Sequence, residues 1–433
     1  MIKYYLVGGA VRDMVMAVPC KDYDFVVVGA KPSDFSNWKS VGNDFPVFLE
    51  PTNGWEVGLA RTERKVGEGY TGFDVECNGV TLEQDLSRRD LTINAMAIEV
   101  DFEASVLLGE PVTIGSVIDP FSGIPDIKNK VLRCTTKHFA EDPLRVLRVA
   151  RFMARFGTWK VASSTWRLMQ QIYLSGELLN LVPERVWLET KKALSERTPS
   201  LYFKTLKNYD HLFLEINHGY TTPQKVTHHP EVWVGIHQEL VVDYAAKTWG
   251  DTEINLACML HDLGKHPCWL SYGNAFGHEE TGFAVVNKFC DKWKVPNSYR
   301  NLALITCEYH TKVHGCIGRG SNDWMRPKSI MKLFEDTSAL KKPEQFYKML
   351  KACEADAKGR GNGAEQIAEF ENNPYIQREY LEDCLRAVLG YDSKPLSEKM
   401  LAEGKTGVII GQTIRQEKIK LIREVQDKWK ERL

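Results

Sequence analysis

The sequence predicts an α+β chain, with a small mixed sheet in its first third and helices from there to the end. Two observations carry this. Residues 1–138 hold short β-rich runs, "YYLVGG", "DFVVVGA", "FPVFLE" and "WEVGLART", broken by Gly, Pro and Asn. From Glu141 the text changes to apolar residues at helical spacing between charges. The 433 residues suffice for two to four domains. At 43% hydrophobic and 26% charged, the composition is that of a globular chain.

The first element is "LVGGAVRD", an apolar strand running into Gly8-Gly9 and then a helix. Glycines there let backbone amides approach a phosphate, and Arg12 can add a charge-assisted contact. A plain strand-to-helix turn explains the glycines about as well. One strand later comes "KDYDFVVVG". In a strand, Asp22 and Asp24 share one face. Two carboxylates so close repel, and a divalent cation with oxygen ligands relieves the repulsion. Two such cations can activate a terminal hydroxyl and stabilise departing pyrophosphate. Glu56 in "WEVGLART" is a candidate third carboxylate. A surface strand end carrying two solvated acids is the plainer explanation of the pair alone.

"DLSRRDLTINAMA" follows. Its double arginine, Arg88-Arg89, can clamp phosphate oxygens. Asp90 and Asn94, four apart, would share a helical face and could hold sugar hydroxyls. Asp90 as a helix cap is the alternative. In "EDPLRVLRVARFMARFG", Leu144, Leu147, Val149, Phe152 and Phe156 mark a helix, with Asp142 and Pro143 as N-cap and first helical position. Asp142 and Arg145 lie one turn apart and could face a nucleobase together, with Arg148 turned toward phosphate. Capping and surface charge explain the same residues, and taken alone that is the stronger reading. "TPQKVTHHPEVW" reads as a domain boundary. The C-terminal "IRQEKIKLIREVQDKWKERL" has an apolar stripe at Ile414, Leu421, Val425 and Trp429 and a solvated charged face.

Taken together and in this order, the motifs resemble the class II tRNA nucleotidyltransferases of the bacterial CCA-adding type. The resemblance continues through "ARTERKVGEGYTGFD" (Ala60 to Asp74), similar to that family's mobile loop, and "PERVW" (Pro183 to Trp187). It implies a nucleotidyltransferase head with a small mixed sheet over 1–138. It implies an all-α neck for nucleotide recognition over 139–224 and a helical body and tail for tRNA over 331–433. It implies addition of C, C and A to tRNA 3′ ends from CTP and ATP without a template. Asp22 and Asp24 match the catalytic, magnesium-binding carboxylates. Gly9, Arg12, Arg89, Arg145 and Arg148 match nucleotide contacts, and Asp142 with Arg145 matches the base-reading pair. Asp90 and Asn94 stay candidate nucleotide contacts.

A second chemistry sits in mid-chain. "INLACMLHDLGK" carries His261-Asp262 among clustered histidines: His228, His229, His237, His266, His278, His310 and His314, out of eleven. Such a cluster favours a metal site. The region 225–330 looks like an HD-domain phosphohydrolase. That resemblance implies phosphatase and 2′,3′-cyclic phosphodiesterase activity on a divalent transition metal, nickel and manganese being candidates. His237, His261, Asp262 and Asp356 are the implied ligands. It departs at Thr311, beside His310, where the family carries an aspartate; a hydroxyl is a poor ligand for a hard cation. A domain kept only as scaffold is the competing reading.

The rivals are a poly(A) polymerase of the same superfamily, a partial enzyme adding only CC or only A, and a tRNA-binding protein with a dead head. The intact "EDPLR" and the formal net charge of −1, without a long basic tail, argue against the first. The expected partner is the tRNA acceptor arm, held by shape through local basic residues and weakened by salt. Ten scattered cysteines form no C-x-x-C pair, and no apolar run approaches the length of a membrane span. A reduced, cytoplasmic monomer or homodimer with no membrane contact is expected.

Overall fold

The structure is a computed structural model that describes residues 1–20, 22–41, 47–65, 73–318 and 323–433, the side chains of 63–65 and 73–75 excepted. It divides into two compact units, Met1–Thr190 and Lys191–Leu433. Residues 139–190 belong with the sheet, so the expected 139–224 region spans the division.

The first unit is built on a seven-stranded sheet. Its strands are β1 (Lys3–Val7), β2 (Asp24–Val28), β3 (Lys39–Val41), β4 (Val47–Leu49), β5 (Glu56–Leu59), β8 (Ala97–Asp101) and β9 (Val112–Thr113), in the order β3-β4-β5-β2-β1-β8-β9. β6 (Thr62–Lys65) and β7 (Phe73–Glu76) form a separate antiparallel ribbon. The β2–β5 pairing is parallel and the rest of the sheet antiparallel, so the sheet is mixed as the sequence predicts. Alternation in β1 and β2 sends Leu6, Phe25 and Val27 to one core and Tyr5, Val7 and Val26 to another. Both faces are therefore covered, which is why these strands read as near-continuous apolar runs.

The strand edge corrects one expectation. β2 starts at Asp24, so Asp22 lies before the strand rather than on its face. The ladder ends there because Asp24 meets Val7, the last residue of β1, and Glu56, the first of β5. Beyond Val7 the chain turns at Gly8, whose φ of 70° favours glycine, into a seven-residue helix, Gly9–Val15. The stretch after Arg89 is not α-helical either. A six-residue helix ends at Ser87, and a single 3₁₀ turn covers Thr92–Asn94.

The helix Leu144–Phe156 begins one residue later than expected. Pro143 flanks it, and Asp142 Oδ1 accepts the Leu144 N–H at 3.0 Å. Its arginines, spaced three or four apart, line one face.

The second unit is helical throughout. The helices Val234–Trp249, Thr252–Leu260, Asn297–His314 and Pro343–Lys358 pack on one another around a core including Val241, Leu256, Met259, Leu302 and Phe346. The "TPQKVTHHPEVW" break, expected as a boundary, falls within the second of the two units. It is a loop inside this unit, closed by a bridge between Pro223 and Trp233 and a Gln224 N–H to Val232 O bond. The terminal helix, Gly407–Arg432, buries Ile419, Ile422, Gln426 and Trp429. Ile414, Leu421 and Val425 are only half-buried, so the buried face is rotated from the predicted stripe. Gln426 fits an apolar face because its amide donates to Met325 O and Tyr380 Oη, both at 2.9 Å. Among the described residues no helix is long and apolar enough to cross a membrane.

Candidate functional site

At the β1–β2–β5 edge three acids come together. Asp24 and Glu56 are register partners on neighbouring strands, and Asp22 is two residues upstream. Desolvation raises the Asp24 carboxyl above its ordinary value; Asp22 adds to the rise and Arg89 opposes it. Glu56 is raised by desolvation and by the charges of Asp24 and Asp22. Repelling hard oxygen donors of this kind suit a divalent cation.

Arg89 overlooks the acids. A side chain on Gly8 would meet Arg89 Nη1 at 3.0 Å, so the glycine leaves room for the guanidinium. Buried Asp85 holds the arginine pair: Arg88 Nη2 donates to Oδ1 at 2.8 Å and Arg89 Nη2 to Oδ2 at 3.3 Å. Burial opposes ionisation of Asp85, but Arg88 and Arg89 keep it below its usual range. Asp85 was missed from the sequence, although its i,i+3 and i,i+4 spacing to the arginines is visible there.

The remaining predicted nucleotide contacts form a buried polar frame. Arg12 Nη1 donates to Asn94 Oδ1 at 2.6 Å, and its Nη2 pairs with Asp13 at 2.8 Å. Burial pulls the Arg12 guanidinium below its ordinary range, and Asp13 opposes that. Asp90 accepts from Arg148 Nε at 2.7 Å, from Asn94 Nδ2 at 3.0 Å and from the Leu91 N–H at 2.8 Å. Burial opposes its ionisation, yet Arg148 and Asn94 hold it far below the carboxylate range. Arg145 donates to His138 O at 2.7 Å and Arg88 O at 2.5 Å, and Arg185 pairs with Asp142 at 3.2 Å. Arg185 lies in the quoted "PERVW" but had no role assigned. Thus Asp142 and Arg145 share one end of a helix, whereas Asp90, Asn94, Arg12 and Arg148 tie that helix to the sheet. The loop expected over Ala60 to Asp74 falls, from 66 to 72, outside the described residues.

The second unit gathers His237, His261, Asp262 and Asp356, 119 residues apart at the extremes, into one buried cluster. Among the described residues, groups whose ligand atoms lie within 4.8 Å of one another are His237–His261–Asp356, His261–Asp262–His310 and, beside them, His229–Glu231–His237. His237 Nε2 is 3.0 Å from Asp356 Oδ1, and His261 Nε2 is 3.2 Å from Asp262 Oδ2. Their Nδ1 atoms contact Gly359 O at 3.1 Å and Cys258 O at 2.7 Å. A carbonyl on Nδ1 fixes the tautomer that leaves Nε2 as a metal donor. His261 Nε2 and Asp262 Oδ1 are buried without a hydrogen-bond partner, as an intended cation would leave them.

His278, His310 and His314 complete the cluster; the sequence marked them by crowding but assigned none of them as a ligand. His278 Nε2 and His310 Nε2 are 3.3 Å apart, and His314 Nε2 pairs with Asp356 Oδ2 at 2.6 Å. Lys265 Nζ reaches Asp262 Oδ2 at 2.6 Å, and Arg360 Nη2 reaches Asp356 Oδ1 at 3.2 Å. Burial resists ionisation of both acids, but His261 and Lys265 keep Asp262, and His314 and His261 keep Asp356, well below the usual range. Thr311 Oγ1 donates to Glu279 Oε1 at 2.7 Å, so its hydroxyl is engaged with a neighbouring acid.

The model of the poly A polymerase head domain family matches residues 4–133. A multifunctional CCA protein of Nitrosococcus oceani is 41% identical over 430 residues, covering 98% of each chain. That of Pseudoalteromonas atlantica is 41% identical over 433 residues, covering 97% of this chain and 99% of its own. Among solved structures, a CCA-adding enzyme complexed with ATP superposes with a TM-score of 0.59 at 20% identity, over 97% of this chain and 86% of that one. The Thermotoga maritima CCA-adding enzyme complexed with tRNA gives 0.58 at 19% identity, over 99% and 92%. The structural likenesses speak to the fold. The identity to full-length relatives shows more: the chain belongs to the multifunctional CCA protein family.

Proposed function

We propose that this chain adds C, C and A to the 3′ end of tRNA from CTP and ATP, without a template. The observation that carries the reading is the acid edge of the sheet, where Asp22, Asp24 and Glu56 face a glycine turn and Arg89. Asp22 and Asp24 would hold magnesium, with Glu56 flanking. Magnesium bound there supplies the positive charge that activates a terminal hydroxyl and stabilises leaving pyrophosphate. The chain's own residues do the rest. Gly8 and Gly9 leave bare backbone beside Arg89, whose fixed guanidinium meets phosphate oxygens. Asp142 and Arg145 present an acceptor and donors one turn apart to the base edge. Arg185 and the carbonyls of His138 and Arg88 hold that pair in place. Asp90, Asn94, Arg12 and Arg148 act as the frame that keeps the reading helix on the sheet. Solved proteins to which this chain is similar in fold are complexed with ATP, CTP and tRNA, which supports the choice of these substrates. Asp24→Asn is the test. It should lower the rate of addition about a thousandfold while leaving the fold and the second unit's chemistry unchanged; addition at the parent's rate would refute the role of the acid edge.

The orphaned His261 Nε2 and Asp262 Oδ1 support a second activity, metal-dependent hydrolysis of phosphomonoesters and 2′,3′-cyclic phosphates. His237, His261, Asp262 and Asp356 would hold a divalent transition metal, nickel or manganese. Such an ion activates water and polarises a phosphoryl oxygen. Lys265 and Arg360 steady the two carboxylates. Hydrolysis of 2′,3′-cyclic AMP should disappear in His261→Ala with CCA addition intact. Equal hydrolysis by that variant would remove the assignment.

A further inference from the structure

We propose that the exposed aromatic corner between the helices Lys265–Tyr272 and His278–Lys292 is a platform for a nucleobase. The last base of an RNA 3′ end stacks there while the buried cluster handles the phosphate of that same nucleotide. This rests on the reading of the cluster as a phosphohydrolase site. Five aromatic side chains of the described residues are exposed, and four of them, Trp269, Tyr272, Phe276 and Phe283, fall within residues 269–283. Phe276 stands out at 90% exposed. Single apolar side chains scattered over a surface need no explanation, but four rings on one corner mark a binding surface.

The corner is built onto the cluster. Phe276 stands two residues before His278, so their Cα atoms are at most about 7 Å apart. The carbonyl of Ala275, just before Phe276, accepts from His278 Nδ1 at 2.9 Å, and His278 Nε2 reaches Asp262 Oδ1 at 3.4 Å. On the other helix Trp269 lies one turn beyond Lys265, whose Nζ donates to Asp262 Oδ2 at 2.6 Å. A side chain on Gly264 would run into His278 O and the Gly282 backbone, so the two segments meet backbone to backbone. Cys268 Sγ donates to Thr281 Oγ1 at 3.3 Å across the same contact. The loop between them is fixed as well: Asn274 Oδ1 accepts the Phe276 N–H at 2.9 Å, and Asn274 Nδ2 donates to Tyr272 O at 3.1 Å. A phosphate at the end of an RNA brings a ribose and a base with it, and an unpaired last base has a free π-face. Aromatic side chains receive such a face whatever the base, as an enzyme acting on ends of any sequence requires. Glu279 and Glu280, in the first turn of the second helix, repel a phosphate chain, which leaves the base as the part received here.

The test is the hydrolysis kinetics of Phe276→Ala in the full-length chain supplied with Mn²⁺. Three substrates are compared: 2′,3′-cyclic AMP, an RNA oligonucleotide ending in a 2′,3′-cyclic phosphate, and glycerol 1,2-cyclic phosphate, which has the same five-membered phosphodiester and no base. KM for the two nucleotide substrates should rise about five- to 150-fold, the worth of one base–aromatic stack, with kcat kept. The glycerol compound should react as it does with the parent, and Phe276→Tyr should restore the parent KM. The side chain is exposed, so cutting it back leaves no cavity. An unchanged KM for the nucleotides would overturn the platform, and no rise for the oligonucleotide would overturn its assignment to RNA ends. An equal loss on all three substrates would also overturn it, because Phe276 would then act through the loop that orients His278. Unchanged kinetics with a dimer lost in sedimentation would make the corner a contact between copies instead. A parent that hydrolyses none of the three would remove the hydrolase reading itself, and the platform with it.

Discussion

Asp90→Asn separates a structural frame from a substrate contact. Asp90 is 5% exposed and accepts three hydrogen bonds, one from the Arg148 guanidinium at 2.7 Å. The substitution is nearly isosteric but removes the charge opposite Arg148. Removing one partner of a buried pair costs about 3–5 kcal/mol. Arg148 is one-third exposed and keeps Glu189 at 3.8 Å, which places the loss near the low end, about 3 kcal/mol. That corresponds to roughly a hundredfold shift in the folding equilibrium of the first unit. Because the Asp90 pKa is depressed in the folded chain, its stabilisation is present above the unfolded carboxylate value, about 3.9, and fades as pH falls below that. Urea denaturation at pH 7, followed by hydrogen exchange in helix 144–156, measures the loss. CMP and deoxy-CMP incorporation should fall together. Unchanged stability with a selective loss of discrimination between ribose and deoxyribose would refute the frame and make Asp90 a sugar contact.

Other outcomes are specific. Asp24→Asn should lower the rate of addition by about three orders of magnitude, several kcal/mol of lost cation-borne stabilisation, in a single-turnover assay. It should slightly raise the melting temperature, because Asp24 sits against Asp22 and Glu56. Gly8→Ala should cost about 1–3 kcal/mol at a φ of 70° and displace Arg89, weakening triphosphate binding by calorimetry. Asp243 accepts from Ser200 Oγ at 2.6 Å, and burial pushes it up to about 6. A raised folded pKa means its contribution to stability is fully present below about pH 4 and lost as pH rises toward 6. Asp243→Asn should therefore gain about 3 kcal/mol on the parent across that titration in paired denaturation curves, and parallel curves would refute this.

The local parts of this structure were legible in the sequence. The strands β1 and β2 were visible because both of their faces are apolar, β5 because Val57 and Leu59 alternate with Glu56 and Gly58, and Gly8-Gly9 because only a turn uses glycine so. Asp22 was misplaced by its alternation with Asp24: alternation says which face a residue takes, not where a ladder runs out of partners. The polar frame was hidden because its bonds span 82 residues from Arg12 to Asn94 and 58 from Arg148 to Asp90. No periodicity encodes such distances. In the second unit, His261-Asp262 signals itself as a dipeptide, and crowding alone flagged the other histidines. Which of them converge depends on how the helices pack. The face of the final helix was rotated because Gln426, a buried amide, breaks the apolar pattern that a stripe relies on.

The most direct measurement is a single-nucleotide-resolution gel. It uses the purified full-length chain, magnesium, and a tRNA ending just before its CCA. With CTP and ATP together, three additions followed by a stop are expected, and CTP alone should give two. A long ladder with ATP alone would mark a poly(A) polymerase and contradict base reading by Asp142 and Arg145. One or two additions in the presence of both nucleotides would mark a partial enzyme, and none would contradict the transferase assignment altogether.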